Sequence, residues 1–149
     1  MSALKEFSKQ LDNTRIEQAI NDAENLTSGE IRVVLQAGKV EDPVQRAKKE
    51  FARLKMQETA ERNGVLFFVA PDAQKFAVFG DQGIHQKCPE SFWAEVAAAM
   101  EQYFRAGDPT QALVEGITRA GTLLATEFPR EHDDRDELSN EVVNRPADD

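Results

Sequence analysis

Apolar positions recur along this chain at two spacings, and the switches between them mark the expected elements. Ile16, Ala19, Ile20, Ala23 and Leu26 return at helical intervals, and Thr14 with Glu17 has capping-box spacing, so a helix is expected to open there. Leu4, Phe7 and Leu11 suggest a shorter helix upstream. Three apolar runs then read as strands: Ile31 to Leu35, Val65 to Ala70, and Phe76 to Phe79. The second is apolar at every position, which suits a central strand covered on both faces. Pro71 to Gln74 has the length of a hairpin loop, with proline favouring a turn, so the third strand should return antiparallel.

Two Asp-Pro pairs announce further helices, because aspartate caps a helix start and proline at the first position has no N–H to leave unsatisfied. After Asp42-Pro43, the residues Val44, Ala47, Phe51 and Leu54 mark one buried face; after Asp108-Pro109 come Leu113, Ile117, Ala120 and Leu124. Between them Phe92, Trp93, Val96, Ala97, Met100, Tyr103 and Phe104 form a broad apolar stripe opened by Pro89, a core signal rather than a cofactor box. Strand one, the helix after Asp42 and strand two make a right-handed βαβ unit. The expectation is an α/β fold: a three-layer α/β/α sandwich on a small mixed sheet with a βαβ unit and an antiparallel hairpin. Helices cover both faces, and a fourth strand is expected near residues 80–88. One domain should span residues 1–129, with an acidic tail over 130–149 that is partly docked or mobile.

Charge sharpens this picture at the tail. Of the formal net charge of −9, a net −6 falls between Glu127 and Asp149, where nine acids face three arginines. An acidic chain without a basic stripe speaks against nucleic acid and anionic membranes as partners, because both need clustered Lys and Arg. Within the tail, Leu138, Val142 and Val143 either dock on the domain or form a short motif that adds to a partner. A single cysteine, Cys88, excludes an internal disulfide. The first thirteen residues hold no apolar stretch of signal-peptide length, and no run is long enough to span a bilayer. The expected location is the cytoplasm, with no direct membrane insertion.

Candidate chemistry gathers in three polar clusters: Thr27-Ser28-Gly29-Glu30, Arg62-Asn63-Gly64, and Gly80-Asp81-Gln82-Gly83-Ile84-His85. The first two precede parallel strands and the third follows an antiparallel one, so all three should meet at one end of the sheet. Glu30, Asn63 and Asp81 offer hard oxygen ligands suited to a divalent cation, Ca²⁺ or Mg²⁺, and His85 would bias the site toward a transition metal. Arg62 and Gly83 are candidates for binding a ligand, Arg62 as a fixed positive fork and Gly83 by exposing its backbone N–H. The structural alternative is equally concrete: a strand start, a tight turn, a cap and a surface histidine. Ligands on open α/β sheets usually sit at the carboxyl ends of the parallel strands, and that end offers only Asp72. No P-loop, dinucleotide turn, nucleophile elbow or EF-hand loop is present. Cys88 lacks the arginine of a phosphatase loop and reads as a half-buried structural thiol, and His132 reads as solvated.

The clusters and their order resemble the TPM domain family. The resemblance is carried by Ile16 to Glu24 leading into Thr27-Ser-Gly-Glu-Ile31, by Thr59-Ala-Glu-Arg-Asn-Gly-Val-Leu66, by Gly80-Asp-Gln-Gly-Ile84, and by Met100, Tyr103, Phe104, Gly107, Ala112, Leu113, Gly116 and Ile117. It covers roughly residues 10–128 and implies an α/β/α sandwich of Rossmann-like appearance. Plant members are linked to acid phosphatase activity and photosystem repair, some members bind divalent cations, and bacterial ones are associated with LemA-like proteins. The resemblance therefore implies a protein partner, LemA-like or another TPM-domain protein. Two functions compete: a non-enzymatic binding or accessory domain recognising a protein partner, with or without a bound cation, and a divalent-metal-dependent phosphatase. A third version has the acidic tail recruit the partner.

Overall fold

The strand β2 (Gly64–Ala70) is buried at all seven positions, and the rest of the fold serves to cover it. The computed structural model describes residues 11–130 and 141–147. The helix expected around Leu4 and Phe7, together with Leu138 and His132, lies outside these residues.

On either side of β2 run β1 (Glu30–Gln36), parallel to it, and β3 (Lys75–Gly80), antiparallel. A short β4 (Val143–Arg145) lies parallel to β1 on the far side, giving the order β3-β2-β1-β4. Alternation then sorts the side chains. Ile31, Val33, Leu35, Val65, Phe67 and Val69 face one layer, built from α1 (Asn13–Glu24), α4 (Glu90–Arg105) and α5 (Pro109–Glu127). Val34, Leu66, Phe68 and Ala77 face the other, built on α2 (Pro43–Arg53) and Met56. The result is the mixed sheet between helical layers that the sequence predicts.

The Asp-Pro pairs act as expected. Asp42 accepts hydrogen bonds from Val44 N–H and Gln45 N–H at 3.1 and 3.2 Å, and Asp108 accepts one from Gln111 N–H at 3.1 Å. Each such cap stabilises its helix by about 1 kcal/mol. At α1 the cap is Asp12, which accepts from Arg15 N–H at 3.1 Å, so the helix opens earlier than the Thr14–Glu17 spacing suggests. Asp12 also donates its own N–H to Thr110 Oγ1 at 3.0 Å, a bond that joins α1 to α5 and repays the earlier start.

Three further expectations change. Residues 82–87 form a short helix, α3 (Gln82–Lys87), because Asp81 caps them; the fourth strand is β4, in the tail. Val44 is 46% exposed, since α2 presents Ala47, Glu50 and Phe51 to the sheet and rolls Val44 outward. The stripe on α4 is buried at Val96 and Met100, while Phe92, Trp93, Tyr103 and Phe104 are only partly covered.

Arg145 anchors β4. Its Nε donates to Glu50 Oε1 at 2.8 Å, its carbonyl accepts from Ala37 N–H at 3.0 Å, and Gln36 Nε2 donates to Pro146 O at 3.0 Å. At Gly116 on α5 an added Cβ would lie 2.5 Å from Met100 Sδ on α4 and 2.9 Å from Phe67 Cε1 of the sheet. Gly116→Ala is therefore expected to destabilise the fold by about 1–3 kcal/mol through overpacking. A urea midpoint equal to that of the unmodified protein would show that α4 and α5 are not seated on the sheet this tightly.

Candidate functional site

The registers bring the three polar clusters together. Glu30 pairs with Gly64, and Asp81 donates its N–H to Gly64 O at 3.0 Å, so Glu30, Gly64 and Asp81 lie in one row across three strands. The row has two tight knots. In the first, Arg62 takes a left-handed backbone conformation (φ 53) just before β2, which swings its side chain toward the end of β3. Its Nε donates to Asp81 Oδ2 at 2.8 Å and its Nη2 to Asp81 Oδ1 at 3.0 Å, a two-pronged pair. Asp81 also accepts from Gln82 N–H at 2.7 Å as the cap of α3. This bonding raises the Arg62 pKa above its ordinary value. Gly83 N–H donates to Arg62 O at 2.9 Å, so both ligand-binding candidates are joined to each other.

The second knot joins Asn63, Ser28 and Glu61. Asn63 Nδ2 donates to Ser28 Oγ at 3.1 Å and to Glu61 Oε2 at 3.4 Å, and Ser28 hydrogen-bonds Glu61. Ser28 N–H and the Thr27 hydroxyl reach the end of α5 at Phe128 and Leu124, tying the first cluster to that helix. Asn63 is buried, Glu30 is 2% exposed on the α2 side of β1, and His85 is exposed with its ring 6.4 Å from Phe79.

The donor set can be tested against a cation from these contacts. Both Asp81 oxygens are engaged by Arg62. Glu30 lies about 9–10 Å from Asp81, two strand spacings away. Among the described residues no three of His, Cys, Asp and Glu converge to hold a metal ion. Glu30, Asp81 and His85 thus belong to no such three-membered group in this arrangement.

The sequence reading missed three features. A buried polar group lies on the α2 face, where Glu50 receives Arg145 and Arg53, and burial lowers the Arg32 pKa while Glu141 and Glu24 pull it up. The outer side of α2 exposes Lys48, Lys49 and Arg53, a basic row overlooked beneath the acidic total but visible in the run from Arg46 to Lys55. The carboxyl end of β2 carries a cavity of about 540 Å³, lined by Val69, Phe76 and Phe104 among others. Asp72 accepts from Gly38 N–H at 2.6 Å, bracing the loop after β1.

This sheet, with its helical layers and polar end, defines a small α/β domain of a known class. Residues 5–123 match the TPM domain family, and the chain belongs to it. The BA42 protein of the psychrophilic bacterium Bizionia argentinensis is 42% identical, with a TM-score of 0.83 over 89% of this chain and 91% of that one. The N-terminal domain of the cg2496 protein of Corynebacterium glutamicum shares the fold, with a TM-score of 0.58 and 17% identity over 74% of this chain and 70% of that one. No curated protein matches the chain.

Two outcomes follow. An added Cβ at Gly83 would lie 2.3 Å from Glu61 O and 2.6 Å from Arg62 O, both rigid backbone. Gly83→Ala should therefore force α3 away from β2 and cost about 1–3 kcal/mol, read from the thermal midpoint. The other concerns Cys88, which is buried; burial first, and Glu127 second, push its pKa up from the ordinary thiol value. The unfolded thiol loses its proton first, so the contribution of Cys88 to stability is complete while the unfolded thiol stays protonated and falls as pH rises through the folded value. Relative to Cys88→Ala, the protein should lose stability between pH 8 and pH 10; a constant difference would contradict the burial of the thiol.

Proposed function

We propose that this protein is a non-enzymatic binding domain that recognises a protein partner. One observation carries the reading: the carboxylate best placed for chemistry at the polar end, Asp81, accepts bonds from Arg62 Nε, Arg62 Nη2 and Gln82 N–H and so serves to fix the structure. What this end offers to solvent is a set of fixed polar groups, with Glu61 and His85 exposed around the knots. Such a surface favours recognition over turnover.

A divalent cation enters this reading only by displacing the Arg62 fork from Asp81. The alternative is a divalent-metal-dependent phosphatase, which the association of the TPM family with phosphatases favours. In that alternative a cation would supply Lewis-acid chemistry while Arg62, released from Asp81, would face the phosphoryl oxygens.

Calorimetric titration of the chelator-stripped protein with Ca²⁺, Mg²⁺, Mn²⁺ and Zn²⁺, beside Asp81→Ala and with a panel of phosphate esters, separates the two. The binding-domain reading predicts no metal-stimulated ester hydrolysis, and a thermal midpoint lowered in Asp81→Ala by loss of the α3 cap, about 1 kcal/mol. Saturable metal binding with ester turnover, both abolished in a folded Asp81→Ala, would overturn it.

A further inference from the structure

Of the four strands, β4 is the one with no buried residue. Nor is any residue of the strap around it, 141–147, buried, whereas β1, which the strap covers, is buried at all seven positions. Val142 packs toward the layer of α1, α4 and α5, and Val143 toward that of α2, each only partly covered. Pairing is limited to Val143, Asn144 and Arg145, opposite Val34, Leu35 and Gln36. What lies beneath the strap is built differently. Glu50 on α2 is fully buried and receives Arg145 Nε at 2.8 Å and the largely exposed Arg53 Nη1 at 3.4 Å. Taking Arg145 away leaves a buried carboxylate with one long, solvent-screened contact, which is costly. Gln36, also buried, donates from its amide to Pro146 O at 3.0 Å, and Ala37 N–H donates to Arg145 O at 3.0 Å. The edge of β1 therefore presents groups that read a passing main chain and one arginine.

The connection from the strap back to α5 is slack. Pro129 bridges to Thr27 and Val143 pairs with Val34, so these two points lie about 23 Å apart along β1. The chain from Pro129 to Val143 can reach about 45 Å. A tether longer than its span holds the strap near its slot at an effective concentration of about millimolar, without fixing it there. Slack also disfavours exchange of the strap with a second copy, which short, strained hinges promote.

We propose that the edge of β1 is a recognition slot for an extended segment of a partner protein, of the pattern Val-x-Arg-Pro, and that residues 141–147 fill it in cis as a displaceable stand-in. The partner segment runs parallel to β1, pairs with its main chain and places its arginine on Glu50. The strap's own sequence defines the chemistry of the occupant, because it is the chain that this edge binds in the structure. Strand addition of this kind draws affinity from main-chain hydrogen bonds and specificity from the side chains that read the segment. The proposal rests on the protein-partner reading and adds to it both a place of contact and an inhibitory one.

Two measurements test it. In the unmodified full chain, hydrogen exchange at Ala37 N–H should run well ahead of that at Phe67 in β2 and stay independent of low urea, because the strap opens by itself. Exchange at Ala37 locked to the rate of Phe67 would make the strap inseparable from the fold and overturn the proposal. The second measurement weakens the strap in the ¹⁵N-labelled full chain with the double variant Val143→Asp, Arg145→Ala. It is titrated with the end-blocked peptide Glu-Val-Val-Asn-Arg-Pro-Ala, the sequence of the strap supplied in trans. Saturable shifts at the amides of Gln36 and Ala37 are expected, with an affinity about tenfold or more above that of the unmodified protein. The same peptide with alanine in place of its arginine should bind about tenfold more weakly, since Glu50 then stays without its partner. Equal affinity of the two peptides would remove Glu50 as the reader and overturn the slot, as would no binding or shifts confined elsewhere. A concentration-dependent dimer in which alone the Ala37 amide is protected would assign the strap to a second copy, and would also overturn it. Each of these failures leaves the protein-partner reading standing; metal-stimulated ester turnover removes that reading instead.

Discussion

The pair between Arg62 and Asp81 is the constraint on which the polar end of this domain depends. Arg62 precedes β2 and Asp81 follows β3, so the pair closes the hairpin at the end opposite its turn. Asp81 simultaneously caps α3, and Gly83 N–H bonds the Arg62 carbonyl, so the same few atoms set the direction in which the chain leaves the sheet for α4. The guanidinium is 40% exposed on its side chain while the carboxylate is 6% exposed. Solvent screening limits the strength of such a pair. Its importance is geometric, because it holds a non-glycine residue at positive φ and fixes the first turn of a helix too short to hold itself.

What the sequence revealed and what it concealed follow from the range of each signal. The strands and the long helices were legible because period and capping are local: seven buried positions in β2, and an aspartate before proline at Asp42 and Asp108, need no distant partner. The meeting of the clusters was legible too, since parallel and antiparallel sense alone decides which strand ends coincide. β4 was hidden because three residues carry no period; its place is set by Arg145 reaching Glu50 across 95 positions. The role of Asp81 was hidden for the same reason. A carboxylate beside glycines reads equally as ligand or cap until its partner 19 positions earlier is seen.

The two ends of the sheet therefore differ in kind. At the polar end the hydrogen-bonding groups are largely spent on one another, which gives a rigid, shaped surface with its carboxylate engaged. At the carboxyl end of β2 the chain leaves a cavity lined by Val69, Phe76 and Phe104, in the position where open α/β sheets usually bind ligands. The TPM domain fold supplies both ends, and membership in the family establishes the scaffold without choosing between them.

The most direct test of this account is a double-mutant cycle on Arg62→Met and Asp81→Asn, read as urea unfolding free energies with circular dichroism confirming that each variant folds. If the pair organises the polar end, the two losses will be clearly non-additive, with the double variant little less stable than Asp81→Asn alone. Strict additivity would mean that Arg62 and Asp81 act independently, and that the carboxylate is free for the ligand chemistry this account denies it.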